Sequence, residues 1–318
     1  MPRALITGAS GFLGRHLVEQ FASSGWALDL IDLKPLPANP AVEEGTQGDV
    51  QAILPNLDRR YDLAIHLAAS VGGRVGIEND PLGVAFNMSL DAAFFEFAAR
   101  TRPSRCIYLS SSAVYSIDRQ TETWNGEPLR EEEADLQRGP LGIPDLTYGW
   151  AKLTGEYLAL VTERSHGVPI AVYRPFSIYG PGQGAEYPMT AICERALAKE
   201  DPLVVWGPGT QQRDFVYIED FLEAVMLTYG DLNAESPLNI ASGKGTDFLT
   251  VAHLAAGLID YEPVVEALGD RPQGVQRRIG SPARLERYLV PKVSLEDGLA
   301  SIIEQLERGQ LEHPAVGR

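Results

Sequence analysis

Apolar positions in the first half of the chain fall into short unbroken runs separated by segments of helical spacing. Arg3-Ala-Leu-Ile-Thr7, Ala27-Leu-Asp-Leu-Ile31, Asp62-Leu-Ala-Ile-His-Leu67 and Arg105-Cys-Ile-Tyr-Leu109 are short, continuous and bounded by turns. That pattern predicts strands covered on both faces. Between them, Phe12 to Ser23 sets Leu13, Leu17 and Phe21 on one face, and Leu82 to Arg100 reads as one long helix with an apolar face. Strand–helix alternation predicts an α/β fold with a doubly wound parallel sheet. Ser116 to Pro144 interrupts the rhythm and reads as a lid or binding loop, and its acidic run Glu131-Glu-Glu133 as a solvated face. Helix and strand resume at Leu146 to Glu163 and Pro169 to Tyr173. Beyond about residue 180 the pattern loosens. Helices are predicted at Thr190–Ala198, Tyr217–Tyr229, Val251–Leu258 and Leu295–Leu306, with short strands at Leu203–Val205 and Leu238–Ile240.

Charge narrows the partners. The 318 residues hold 27 Lys and Arg against 43 Asp and Glu, a net charge of −16. Such a surface repels phosphate backbones, so nucleic acid and anionic membrane are not expected partners. An anionic ligand then needs a local cluster of arginines. Cys106 and Cys193 lie in apolar surroundings and read as reduced core thiols. The five histidines show no metal-ligand spacing, so no metal is expected. No apolar run of membrane-spanning length stands out, and the first strand starts too early for a signal peptide. A cytoplasmic location is the expectation.

Thr7-Gly8-Ala-Ser-Gly11-Phe-Leu-Gly14 joins the first strand to the first helix. Gly8 permits a tight turn, Gly11 lets backbone approach a pyrophosphate at the helix N-terminus, and Gly14 lets helix and strand pack closely. Asp32 ends the next strand, where a carboxylate binds the ribose diol of an adenine dinucleotide and repels a 2′-phosphate. NAD rather than NADP is therefore the expected cofactor. Asp49, with Val50, follows a third short strand and is a candidate for the adenine edge, though a lone loop Asp also serves as a helix cap.

Tyr148-Gly-Trp-Ala-Lys152 opens a helix and sets phenol and ammonium on one face. The ammonium favours phenolate, which suits Tyr148 to proton transfer. A second copy of this spacing, Tyr288-Leu-Val-Pro-Lys292, contains Pro291 and reads as chance. Ser110-Ser-Ser-Ala-Val-Tyr115 sits at the carboxyl end of a strand, where ligands bind in open α/β sheets.

Taken together, the chain resembles the extended short-chain dehydrogenase/reductase family of nucleotide-sugar enzymes. The resemblance rests on Thr7 to Gly14, Asp32, His66-Leu-Ala-Ala69, Asn87, Ser110 to Tyr115, Tyr148 to Lys152, Arg174-Pro-Phe-Ser-Ile-Tyr-Gly-Pro181 and Arg213-Asp-Phe-Val-Tyr-Ile218, all in family order. It implies a Rossmann-type NAD domain over 1–175, with contributions from about 207–240, and a smaller C-terminal α/β region, 176–318, mainly for substrate. It implies that Ser111, Tyr148 and Lys152 are catalytic. Phe12, Leu13, Leu67, Ala68, Ala69, Asn87, Pro175 and Ile178 would border the cofactor. Ser112, Ser177, Arg213, Arg271 and Arg277 or its neighbour Arg278 would meet the substrate, the arginines as a diphosphate clamp.

The resemblance extends to the UDP-glucose 4-epimerase and GDP-mannose 3,5-epimerase groups, but details differ. Ser112 and Ala113 stand where 4,6-dehydratases carry an Asp-Glu pair, which argues against dehydration. Ala113 also takes the place of the catalytic Cys of 3,5-epimerases, and the Lys those enzymes carry near residue 187 is missing. The expected activity is epimerisation of a nucleotide-diphosphate sugar through a transient keto intermediate, at C4. The alternatives are a GDP-sugar 3,5-epimerase, a 4-keto reductase or dehydrogenase, and a non-enzymatic NAD-sensing protein. A homodimer is expected.

Overall fold

The computed structural model describes residues 1–71, 73–121, 126–138, 140–269 and 274–309. The chain first forms β1 (Arg3–Thr7), α1 (Phe12–Ser23), β2 (Ala27–Asp32), β3 (Val42–Gln47), α2 (Val50–Ile53), β4 (Leu63–His66), α3 (Gly73–Asn79), α4 (Pro81–Ala85), α5 (Asn87–Thr101) and β5 (Cys106–Leu109). There follow α6 (Leu146–His166), β6 (Ile170–Pro175), β7 (Ser177–Tyr179), α7 (Pro188–Leu197), β8 (Leu203–Trp206), β9 (Gln212–Tyr217), α8 (Ile218–Thr228) and β10 (Leu238–Ile240). The chain ends with β11 (Gly245–Asp247), α9 (Phe248–Gly257), β12 (Val265–Leu268), β13 (Arg277–Arg278) and α10 (Leu295–Glu307).

Seven strands form one parallel sheet in the order β10-β6-β5-β4-β1-β2-β3. This is the doubly wound arrangement. The order reverses between β1 and β4, which opens a crevice above their carboxyl ends. Alternate residues of β1 serve opposite layers: Ala4 and Ile6 join Leu17, Val18, Phe21 and α8, while Leu5 joins Phe94 and Phe97 of α5. Period-2 alternation in a strand covered on both faces explains why its residues are all apolar. A second sheet gathers β7, β9, β11 and β13, and β8 pairs with β12.

The structure departs from expectation in three places. The long apolar helix is two, α4 and α5, joined at Phe86, whose backbone stays in the α region (φ −56°, ψ −25°), so the break is a slackened turn. The span Pro81–Thr101 is long and apolar enough to cross a membrane, but Leu90, Phe94, Phe95 and Phe97 are buried in the protein core, as in the core helix of a globular fold. The acidic run is a solvated face only at exposed Glu132: Glu131 is 5% exposed and accepts from the Asn239 amide at 3.1 Å, and Glu133 pairs with Arg119. Both cysteines are buried, and burial pushes their thiols up, that of Cys193 to about 12.

One buried network ties the carboxyl end of the parallel sheet and α6 to the long loop. Arg174 Nε and Nη2 donate to Glu156 at 2.8 and 2.6 Å, and its other donors reach the carbonyls of Glu131 and Ala134 and the Tyr115 hydroxyl. Glu156 also accepts from Ser110 Oγ at 2.5 Å. Arg174 and Glu156 are each 1% exposed. Removing one member strands a buried charge, so Glu156→Leu should cost about 3–5 kcal/mol of stability, read by chemical denaturation. A loss below about 1 kcal/mol would show that the pair is dispensable.

Candidate active site

The glycine turn is shaped by close contact. Gly8 has φ +73°, and a Cβ there would lie 2.6 Å from the Ala68 nitrogen; a Cβ on Gly14 would lie 2.2 Å from the Gly8 oxygen. Gly11 differs, because its Cβ would meet only the Gly8 oxygen, at 3.4 Å. Its remaining surroundings are open, above the N-terminus of α1. Phe12 and Leu13 fill the first turn of that helix and pack on the core. At the end of β2, Asp32 is oriented by the amides of Ser10 (2.9 Å) and Lys34 (2.8 Å). Asp49 is exposed and caps α2 through the Gln51 amide at 2.9 Å, with Val50 buried behind it.

Across the crevice, Leu67, Ala68 and Ala69 continue from β4 as a half-buried loop. Buried Asn87 braces that loop: its side chain accepts from the Ser70 amide at 2.6 Å and donates to the Ser70 carbonyl at 3.0 Å. Ser111 Oγ accepts from the Ala113 amide at 3.1 Å and opens the turn Ser112–Val114. Gly149 lets α6 lie on that turn, since a Cβ would fall 2.3 Å from the Ala113 oxygen. This brings the half-buried Ser111 and Tyr148 onto neighbouring elements. Lys152 is only 4% exposed, with Nζ 5.0 Å from the Tyr108 ring centroid. Pro175 and Ser177 are half-buried and Ile178 is buried, where β6 passes into β7.

Three guanidiniums meet near the first turn of α6. Asp145, which precedes the helix, accepts from Arg74 Nη1 at 2.9 and 3.0 Å and from Arg278 Nη2 at 2.6 Å. Burial pushes Asp145 up, but Arg278 and Arg74 outweigh it and hold the carboxyl below its ordinary value. Arg213 stands in the same field. Burial first, then the like charge of Arg278, push it down to about 9, with Asp145 pulling the other way and Arg74 adding to the fall. Glu78 takes Arg74 Nε at 2.6 Å from the outer side. Neighbours on β13 face opposite ways, so Arg278 rather than Arg277 joins Arg213. The Arg277 guanidinium lies against Gly126, where a Cβ would be 3.2 Å from Nη1. Arg271 lies outside the described residues.

The sequence profile of the NAD dependent epimerase/dehydratase family matches residues 4–241. The chain belongs to that family. A GDP-L-fucose synthase of Sinorhizobium fredii is 25% identical over 95% of this chain and 94% of its own length. A GDP-mannose 3,5-epimerase of Oryza sativa subsp. indica is 29% identical over 96% of this chain and 83% of its own. The structure of MoeE5 in complex with UDP-glucuronic acid and NAD superposes with a TM-score of 0.82 at 27% identity, covering 96% of this chain and 99% of that one.

As a member of the NAD dependent epimerase/dehydratase family, the chain is an NAD-dependent enzyme. The glycine turn fits that cofactor: protein backbone blocks side chains at Gly8 and Gly14, while Gly11 faces open space at a helix N-terminus. Sequence reasoning passed over Arg74 and Asp145. Arg74 lies in the first turn of α3, and Asp145 occupies the N-cap position before the Tyr148 helix.

Because Gly11 has room on its protein side, Gly11→Val should fold with little change in melting temperature. It should weaken NAD binding by about tenfold or more, measured by calorimetry, since the branched side chain fills the space above the helix N-terminus. Wild-type NAD affinity in this variant would remove Gly11 from the cofactor site.

Proposed function

We propose that the protein inverts C4 of a nucleoside-diphosphate sugar through a keto intermediate. The observation that carries this reading is Tyr148, half-buried, in the first turn of α6 with buried Lys152 one turn behind it and the Ser111 turn packed alongside. The Tyr148 phenolate accepts the proton of the sugar hydroxyl and returns it to the opposite epimer. Ser111 donates to the same oxygen, and the Lys152 ammonium stabilises the phenolate. NAD supplies the hydride acceptor and donor. Gly8, Gly11, Phe12, Leu13, Gly14, Asp32, Asp49, Val50, Leu67, Ala68, Ala69, Asn87, Pro175 and Ile178 are our candidates for its site.

Arg213, Arg278 and Arg74 would hold the diphosphate while the sugar turns over, giving an acidic protein its local attraction for an anion. Ser112 and Ser177 are candidates for sugar contacts. In this reading residues 1–175, with about 207–240, serve the cofactor and 176–318 mainly the substrate. The buried Ala113 supplies no second acid, which favours C4 chemistry over proton exchange at C3 and C5. The 29% identity to the rice enzyme keeps a 3,5-epimerase as the second reading.

Tyr148→Phe should lower turnover roughly 10²–10⁴-fold while sparing NAD binding. Unimpaired turnover would remove Tyr148 from the chemistry. In D₂O, product proton NMR should show no deuterium at C3 or C5; incorporation there would favour the second reading.

We further propose a homodimer through the face of α6 that carries Trp150, Tyr157 and Val161, which are 46%, 54% and 39% exposed, with Leu82 and Phe86 on the neighbouring helical segment. Tyr157→Glu should yield a folded monomer by light scattering. A dimer of unchanged affinity would place the interface elsewhere.

A further inference from the structure

Behind Lys152 lies a buried polar chain that the proposed chemistry does not use. The Thr7 hydroxyl and His66 Nδ1 are 2.8 Å apart, His66 Nε2 lies 3.2 Å from Asp91 Oδ1, and the Tyr108 hydroxyl donates to Asp91 Oδ2 at 2.6 Å. His66 and Asp91 are each 1% exposed. Phe94 stacks on the His66 ring at 4.4 Å and fixes its plane. Burial pushes His66 down and Tyr108 up, so both stay neutral. Asp91 is the charged member: burial pushes it up, but Lys152, His66 and Tyr108 together hold it below its ordinary value. A neutral His66 that accepts from Thr7 at Nδ1 carries its proton on Nε2, so its N–H dipole faces Asp91 on one side while Tyr108 donates from the other. The 3.2 Å contact is poorly aligned for a hydrogen bond, and its pull is mainly electrostatic.

The helix that carries Lys152 comes down directly on this pair. A Cβ at Gly155 would strike the Tyr108 hydroxyl at 1.9 Å and Asp91 Oδ2 at 2.6 Å, so only glycine lets α6 lie there. Lys152 Nζ rests over the same Tyr108 ring. One buried carboxylate and one buried ammonium thus share a dry pocket across a single aromatic ring.

We propose that Asp91 is a positioning residue for the catalytic step: it anchors the Lys152 ammonium from beneath and offsets part of its charge, so that Asp91 sets how strongly Tyr148 is driven toward phenolate. The proposal rests on Tyr148 as the proton-transfer group. Among the described residues, the other titratable groups that interact with Tyr148 are Tyr108 on β5, Tyr187, and Arg278 on β13, the last shared with Arg74 through Asp145. Glu156, farther along α6, is matched by Arg174 and adds little net charge. Neutralising Asp91 leaves the Lys152 charge uncompensated, and a low-dielectric interior transmits that change over several ångströms.

The test is a phenolate absorbance titration of the full chain, with Tyr148→Phe as the blank, so that the difference isolates Tyr148. Asp91→Asn keeps the shape and an acceptor for Tyr108. It should move the Tyr148 midpoint to lower pH by about half to one unit, and the acid limb of the kcat/KM profile should follow. Asp91→Ser, smaller and equally neutral, should shift it in the same direction if the amide does not fold. His66→Gln removes an uncharged ring and should leave the midpoint in place. An unmoved or raised midpoint in folded Asp91 variants overturns the proposal, as does an equal shift in His66→Gln. A chain with no Tyr148 component at all would overturn the proton-transfer reading as well, and is distinguishable from both.

Discussion

The ion pair between Arg174 and Glu156 is the constraint around which the end of the sheet beside Ser111 and Tyr148 is assembled. Glu156 sits on the same helix as Tyr148 and Lys152, and it also fixes Ser110 at the end of β5. Arg174, on β6, holds the carbonyls of the long loop and the Tyr115 hydroxyl. Tyr115 in turn donates to Asn239 on β10 at 2.6 Å. Three strands, one helix and one loop are thereby referred to a single buried charge pair. The cost of desolvating two charges is large, and it is offset only because nearly every donor and acceptor is matched. Such a device adds little net stability, but it leaves the segment few alternative arrangements.

Electrostatics organise the site on two levels. The molecule carries a net charge of −16, yet Arg74, Arg213 and Arg278 gather around Asp145 beside the first turn of α6. Local positive charge in a negative molecule draws an anion to that place. Beneath the sheet the balance is closer, with Asp91 facing Lys152 across Tyr108.

Much of this was legible in the residues. Continuous apolar runs such as Ala4-Leu-Ile6 follow directly from a parallel sheet covered on both sides, and Gly8 and Gly14 follow from contacts that exclude a Cβ. What stayed hidden had weak local signals. β13 is two arginines long and β9 begins Gln-Arg-Asp, so neither shows an apolar period, although together they place Arg213 and Arg278. Which of Arg277 and Arg278 faces the site depends on strand register, which composition does not specify. Glu131 looked solvated within an acidic run because its burial depends on Asn239, distant in sequence. Asp91 sits mid-helix among apolar residues, and only the packing of α5 on β4 and β5 gives it partners.

Asp145 has a consequence for affinity. By bridging Arg74 from the sheet half and Arg278 from β13, it keeps both long side chains ordered through bonds made within the protein. Each such side chain would otherwise lose about 0.5–1.5 kcal/mol of rotamer freedom on meeting a ligand. Here that ordering is completed during folding, so, if the proposed diphosphate clamp holds, an arriving anion would meet a preorganised fork.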